Sequence, residues 1–111
     1  MTRARRTPEG LVLQQIEDYL RCCPAVRWWR NSPGRLRGYT VARRGSPDIE
    51  GYVVGSGVYW ACEIKAAKGK LSPDQERYLA QLRLDNVPCG VVRCVEDAAA
   101  IVGEAVGRAA P

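Results

Sequence analysis

A chain of 111 residues, 46% of them apolar, has the size of one compact domain around a single modest core. Its 17 basic against 12 acidic residues leave a formal charge of +5, carried mostly by arginine, which suggests a polyanionic partner without naming one. There is no histidine, and this excludes Ser-His-Asp and Cys-His hydrolysis, histidine-dependent metal nucleases and Cys2His2 zinc sites.

In chain order, residues 1–8 read as a flexible basic N-terminus, without the apolar run of a signal peptide. From Glu9 to about Arg21, Val12, Ile16, Tyr19 and Leu20 recur at helical spacing, with Thr7 and Pro8 as cap and first position. Pro24 ends that helix. The stretch onward to Pro47, with prolines at 24, 33 and 47 and glycines at 34, 38 and 45, is expected to be a loop. Between Asp18 and Asp48 there is no acidic residue, whereas Arg21, Arg27, Arg30, Arg35, Arg37, Arg43 and Arg44 fall there with Trp28, Trp29 and Tyr39 among them. Charges that merely solvate a loop usually come in both signs, so this one-signed segment reads as a phosphate-binding surface with aromatics available for packing or stacking.

Asp48 to Val54 and Val58 to Ala66 are predicted strands, joined through Gly55-Ser56-Gly57 as a hairpin. Alternation sends Val58, Trp60, Cys62 and Ile64 to one face and Tyr59, Ala61, Glu63 and Lys65 to the other. "KGKLSPDQERYLAQLRLDN" opens a second helix capped by Ser72, with Pro73 first and Tyr78, Leu79 and Leu82 as its stripe. "CGVVRCV" is a further strand and "EDAAAIVGEAVGRAA" a last helix. The order of helix, strand, strand, helix, strand, helix predicts a single α/β domain over residues 1–111 with a central mixed sheet. The five cysteines (22, 23, 62, 89 and 94) are odd in number and lack CxxC spacing; with no membrane-length apolar run, the expectation is a soluble cytoplasmic protein with reduced thiols.

Metal-dependent phosphodiester hydrolysis needs carboxylates to hold a hard cation and a positive group beside the phosphate or the attacking water. Asp48, Glu63 and Lys65 are of these types, provided that Asp48 shares the Glu63 face. A two-residue loop at Gly55 and Ser56 sets Asp48 opposite Glu63, and a four-residue loop sets it opposite Lys65. A plain three-residue loop turns it to the Ile64 face, since a one-residue slip flips every side chain. Otherwise Glu63 and Lys65 are an exposed pair on a strand, worth at most a fraction of a kcal/mol.

"GSPDIEGYV" followed by "YWACEIKAAKGKLSPDQERYLAQLRLDNVPCGVV" resembles the VRR-Nuc branch of the PD-(D/E)xK nuclease superfamily, small stand-alone nucleases of phages and bacteria. The resemblance runs from about Thr7 to Val102 and rests on ordered motifs: Asp after Pro, E-x-K in the next strand, a basic glycine turn, then L-S-P-x-Q. It departs mildly at Ala66 and Ala67. It implies a restriction-endonuclease-like α/β core, a central mixed sheet flanked by helices, and Mg²⁺- or Mn²⁺-dependent DNA cleavage in the cytoplasm of a bacterium or phage-infected host. Asp48, Glu63 and the Ile64 carbonyl would ligate the cation, while Lys65 would orient water and stabilise phosphorane charge.

Gln75 resembles the family's active-site glutamine, yet Ser72-Pro73-Asp74-Gln75 is also a capping box. Glu9 matches the helix-one carboxylate, with Glu17 as the fallback; simple dipole and solvation roles compete for both. Arg30, Arg35, Arg37, Arg43, Arg44, Lys68 and Lys70 are the candidate DNA contacts. A homodimer would set two sites across branched DNA, so structure-selective cutting, as of a Holliday junction, is an attractive extension. The competing reading is a non-catalytic nucleic-acid-binding module that uses the same basic surface.

Overall fold

The computed structural model describes residues 7–31, 35–36, 39–40 and 44–109, with the backbone alone at 35–36 and 39–40. Helix α1 (Pro8–Arg21) starts where Thr7 Oγ1 accepts the Gly10 N–H at 3.0 Å and a proline fills the first position, which needs no N–H. Thr7 and Pro8 are therefore part of the helix and its cap, and only residues 1–6 of the expected flexible start lie outside the described residues.

The stretch after Pro24 is not all loop. Val26–Arg30 forms strand β1, and Arg35–Leu36 (β2) and Tyr39–Thr40 (β3) make a small separate ladder. The β-branched and aromatic content of "VRWWR" suits a half-buried pleat, and that outweighs the surrounding prolines and glycines, which end the strand without interrupting it.

Strands β4 (Ile49–Val53) and β5 (Tyr59–Ile64) form the expected hairpin; helix α2 (Pro73–Leu84), strand β6 (Cys89–Val92) and helix α3 (Val95–Ala109) follow. The main sheet has the order β1-β4-β5-β6, antiparallel except for the parallel β5–β6 pair. It is a four-stranded mixed sheet flanked by helices. Trp60, Cys62 and Ile64 point with Ile49, Val53, Val26 and Val92 into a core closed by Ile16 and Leu20 of α1 and by Ala98, Val102 and Ala105 of α3. Burying each large apolar side chain contributes about 1.5–3 kcal/mol. Helix α2 covers the opposite face at β6, where Leu79 is buried. It stops at Asp85 in a Schellman arrangement: Asn86 adopts φ 63°, and the Val87 and Asn86 N–H groups donate to Leu82 and Arg83. No helix of the described residues is long and apolar enough to cross a membrane.

The hairpin register is Ile49↔Cys62, Glu50↔Ala61, Gly51↔Trp60 and Tyr52↔Tyr59, so the next step places Asp48 opposite Glu63. The turn itself is wider than a two-residue loop. Val53 N–H donates to Val58 O, Gly57 N–H returns to Val53 O, and Gly55 and Gly57 take φ of 90° and 77°. Residues 54–57 thus make the turn while preserving the register of the tighter one.

Gly51 is the residue this register depends on most, because a Cβ there would overlap both the Arg27 carbonyl and the indole of fully buried Trp60. Gly51→Ala is expected to destabilise the fold by about 1–3 kcal/mol through overpacking, measured as a lower urea midpoint at unchanged m.

Candidate active site

The pairing between β4 and β5 ends at a proline. Bonded pairs alternate along an antiparallel ladder, and with Val53 bonded to Val58 the series predicts that residue 47 would bond residue 64. Pro47 has no N–H, and its carbonyl instead accepts Asn31 Nδ2 at 2.8 Å. The Ile64 N–H is met by the carboxylate of Asp48, Oδ2 accepting at 2.8 Å. That bond holds Asp48 at the end of the sheet on the Glu63 side. In a strand the N–H and C=O of one residue point to the same edge, so the Ile64 carbonyl faces this edge too. Asn31 also donates its backbone N–H to Asp48 O at 2.8 Å, clamping the Pro47-Asp48 segment from β1.

Glu63 is 1% exposed, the one charged side chain among the buried residues of the described chain. Its Oε1 accepts Gln75 Nε2 at 3.2 Å, and its Oε2 has no hydrogen-bond partner. Burial raises its pKa well above the usual carboxylate range; the neighbouring Asp48 adds to the rise, Lys65 opposes it and Glu9 adds a little more. Lys65 sits one residue past β5 with Nζ 3.9 Å from Glu9 Oε1, its own side chain 13% exposed.

Gln75 makes the capping contact and a contact to Glu63 at once. Its Oε1 accepts the Ser72 N–H at 2.9 Å, its N–H donates to Ser72 Oγ at 3.2 Å, and its Nε2 remains to bind Glu63. Cap and site contact use opposite ends of one amide. Glu9, in the first turn of α1, shares a cleft of about 260 Å³ with Arg30, Asn31, Asp48 and Ile64. Glu17 lines a neighbouring hollow and does not reach this cleft. A larger cavity of about 430 Å³, between Arg44, Asp74, Arg77 and Tyr78, holds none of the candidate catalytic groups.

The family model of the VRR-NUC domain matches residues 3–96. The chain belongs to the VRR-NUC domain family. A solved structure described as a VRR_NUC domain is similar in fold, with a TM-score of 0.64 at 21% identity over 87% of this chain and 96% of that one. Among curated proteins no sequence matches the chain. The α/β fold is that of the VRR-NUC domain, and the family gives the chain a nuclease-type function directed at nucleic acid.

Asp48, Glu63, Ile64, Lys65, Gln75 and Glu9 all lie within the part matched to the VRR-NUC domain. Of the basic candidates, Arg30 lines the cleft, Lys68 and Lys70 are exposed in the turn after β5, and exposed Arg44 lies 3.7 Å from Asp74. Arg35 is described only by its backbone in β2, and Arg37 and Arg43 lie outside the described residues. Two residues that the sequence reading passed over hold the segments that carry these candidates. Asn31 clamps the proline-aspartate segment, although before Ser32-Pro33 it reads as an ordinary turn residue. Arg93 donates to the carbonyls of Ala66 and Ala67, fixing the turn that follows Lys65, and nothing in its local sequence distinguishes it from a surface arginine.

The raised Glu63 pKa has a thermodynamic sign. The folded chain holds this proton more tightly than the unfolded chain, so stability is greatest below the ordinary carboxylate range and falls as pH climbs above it. In chelator, Glu63→Gln is expected to be more stable than wild type at pH 8, with the gap closing towards pH 4. Urea unfolding at both pH values measures this, and a gap independent of pH would exclude Glu63 as the group responsible.

Proposed function

We propose that the protein is a divalent-cation-dependent DNA endonuclease. The observation that carries this reading is the unpartnered, buried Oε2 of Glu63 beside Asp48, held where desolvation penalises the Glu63 charge. Burying a charge without a partner is costly, and a cation is the partner whose chemistry suits two carboxylates. Among the described residues no three His, Cys, Asp or Glu side chains converge as a metal cluster. The fit is therefore that of an open site: Asp48, Glu63 and the Ile64 carbonyl would hold Mg²⁺ or Mn²⁺, with water and phosphate oxygens completing a hard, oxygen-rich shell. Bound there, the cation would supply Lewis-acid stabilisation of the phosphate and a more acidic water.

The chain's own residues then have separable tasks. Gln75 pins Oε1 of Glu63 and leaves Oε2 for the site. The Ile64 N–H fixes the rotamer of Asp48. Lys65, oriented by Glu9, offers a positive charge to the attacking water or to the developing phosphorane. Arg30 at the cleft and Lys68 and Lys70 beyond β5 would bind the flanking phosphates, which position the DNA without reading its bases. Two such sites in a homodimer would suit a branched duplex such as a four-way junction. The five cysteines are free thiols, in keeping with a reducing cytoplasm.

The test is cleavage of labelled duplex, flap and four-way junction DNA with Mg²⁺, Mn²⁺ or chelator. Wild type is expected to cut only with metal. Glu63→Ala and Lys65→Ala are expected to lose about 10²–10³-fold or more in rate, the scale of removing one transition-state contact, while DNA affinity stays within a few-fold. Equal binding by all three proteins with no cutting under any condition would leave a binding module in place of an enzyme.

A further inference from the structure

The sheet face that carries Asp48 and Glu63 continues, on β4 and β1, into an exposed aromatic surface. Pairing sets Arg27 opposite Tyr52 and Trp29 opposite Glu50, so alternation puts Asp48, Glu50, Tyr52, Arg27 and Trp29 on one face. Helix α2 packs at β6 on this face, and no helix among the described residues packs over its β1–β4 half. Trp29 and Tyr52 are each 41% exposed, with ring centroids 6.2 Å apart and planes tilted by 50°.

The Trp29 ring is not a loose surface aromatic. Trp29 Nε1 donates to Glu50 Oε2 at 3.2 Å; the same carboxylate accepts Asn31 Nδ2 at 2.7 Å and the Tyr59 hydroxyl. The indole is therefore held in place, and the charge of Glu50 is engaged by three donors. Exposed Arg27 adds a cation directly across from Tyr52 on β1. Two residues along and one strand across, Trp29 stands roughly 8 Å from Asp48 by ordinary strand spacings. That is a separation of about two to three stacked nucleotides at ~3.4 Å each.

We infer that this face is a stacking platform for unpaired nucleotides next to the scissile phosphate. Trp29 and Tyr52 would take bases and Arg27 a backbone phosphate, so the preferred substrate carries a single-stranded segment at the cut. Rigid exposed aromatics interleaved with arginine are the chemistry of sequence-tolerant single-strand binding. The core of a protein interface, by contrast, is depleted of charge, whereas here Arg27 and Glu50 lie among the rings. The inference rests on the nuclease reading for what lies at Asp48, but the binding surface is testable without cleavage.

The experiment is fluorescence anisotropy in chelator with a labelled single strand, a forked duplex with unpaired arms and a blunt duplex, using wild type, Trp29→Ala, Trp29→Phe and Tyr52→Ala, each checked for a native melt. Trp29→Ala is expected to weaken single-strand and fork binding by about 5- to 150-fold, the equivalent of one base stack, and blunt-duplex binding by less than about threefold. Tyr52→Ala should follow the same pattern. Trp29→Phe, which keeps a ring and loses the bond to Glu50, should recover most of the affinity.

Equal losses on all three DNAs, or no loss on any, overturn the platform. So does a DNA-free dimer that becomes a monomer in Trp29→Ala, which assigns the face to a second copy of the chain. Selective loss of fork binding in a protein that never cuts sustains the platform and sinks the nuclease reading. Metal-dependent cutting with undiminished fork binding in both alanine variants does the reverse.

Discussion

The hydrogen bond from the Ile64 N–H to the carboxylate of Asp48 joins the fold of this chain to its site. It exists because the Pro47 carbonyl, which a continued ladder would offer to Ile64, accepts Asn31 Nδ2 instead, so the last donor of β5 needs an acceptor from elsewhere. An aspartate immediately after that proline is within reach, and satisfying the backbone donor orients the carboxylate. The same step brings it beside Glu63, whose place is fixed by the register. A slip of one residue would send Glu63 into the apolar layer of α1 and α3 and bring Trp60 out of it. The penalty for exposing Trp60, Cys62 and Ile64 together is several kcal/mol, far more than any strain in the turn. Core packing thus enforces the geometry on which the carboxylates depend, with Gly51 providing the space for Trp60 that makes this register fit.

Burial on both faces of β5 is what gives Glu63 its unusual chemistry. Its strand neighbours occupy the main core, while its own side chain lies under the start of α2. Gln75 meets it there with one end of its amide and closes the helix cap with the other. Helix initiation and carboxylate placement are therefore coupled, because a change that frays the first turn of α2 also releases Oε1 of Glu63. The coupling runs through a single side chain, and for that reason the cap and the contact to Glu63 are not rivals.

Much of this was readable from residue types alone. Thr7-Pro8 and Ser72-Pro73 marked both helix starts because capping is local chemistry, and the alternation of Trp60, Cys62 and Ile64 fixed which way Glu63 faced. The register was legible as a condition, since only certain pairings put Asp48 on the right face. What local pattern could not supply was anything held by distant partners. Strand β1 was hidden among prolines and glycines because its stability comes from pairing with β4, not from its own propensity. Asn31 looked like a turn residue because its partners, Pro47, Asp48 and Glu50, are more than fifteen positions away in sequence. The width of the turn at 54–57 escaped for a subtler reason: two loops of different size can leave the same register behind them.

The overlooked strand also gives a reason for part of the one-signed charge in the first half of the chain. Among the described residues β1 is an edge of the main sheet, and an edge beside two tryptophans is prone to pairing with other chains. Arginines at Arg27 and Arg30 within the strand and Arg21 over the Trp28 ring make such pairing electrostatically unfavourable, and Pro24 limits its length. Carboxylates would guard the edge as well, but next to Asp48 and Glu63 they would raise the repulsion that already disfavours ionisation of Glu63. Acidic residues here would also repel a phosphate backbone approaching the cleft. Positive charge protects the edge without adding to that repulsion, and it attracts a polyanion. The absence of acidic residues along β1 itself suits an edge strand placed beside Asp48 and Glu63.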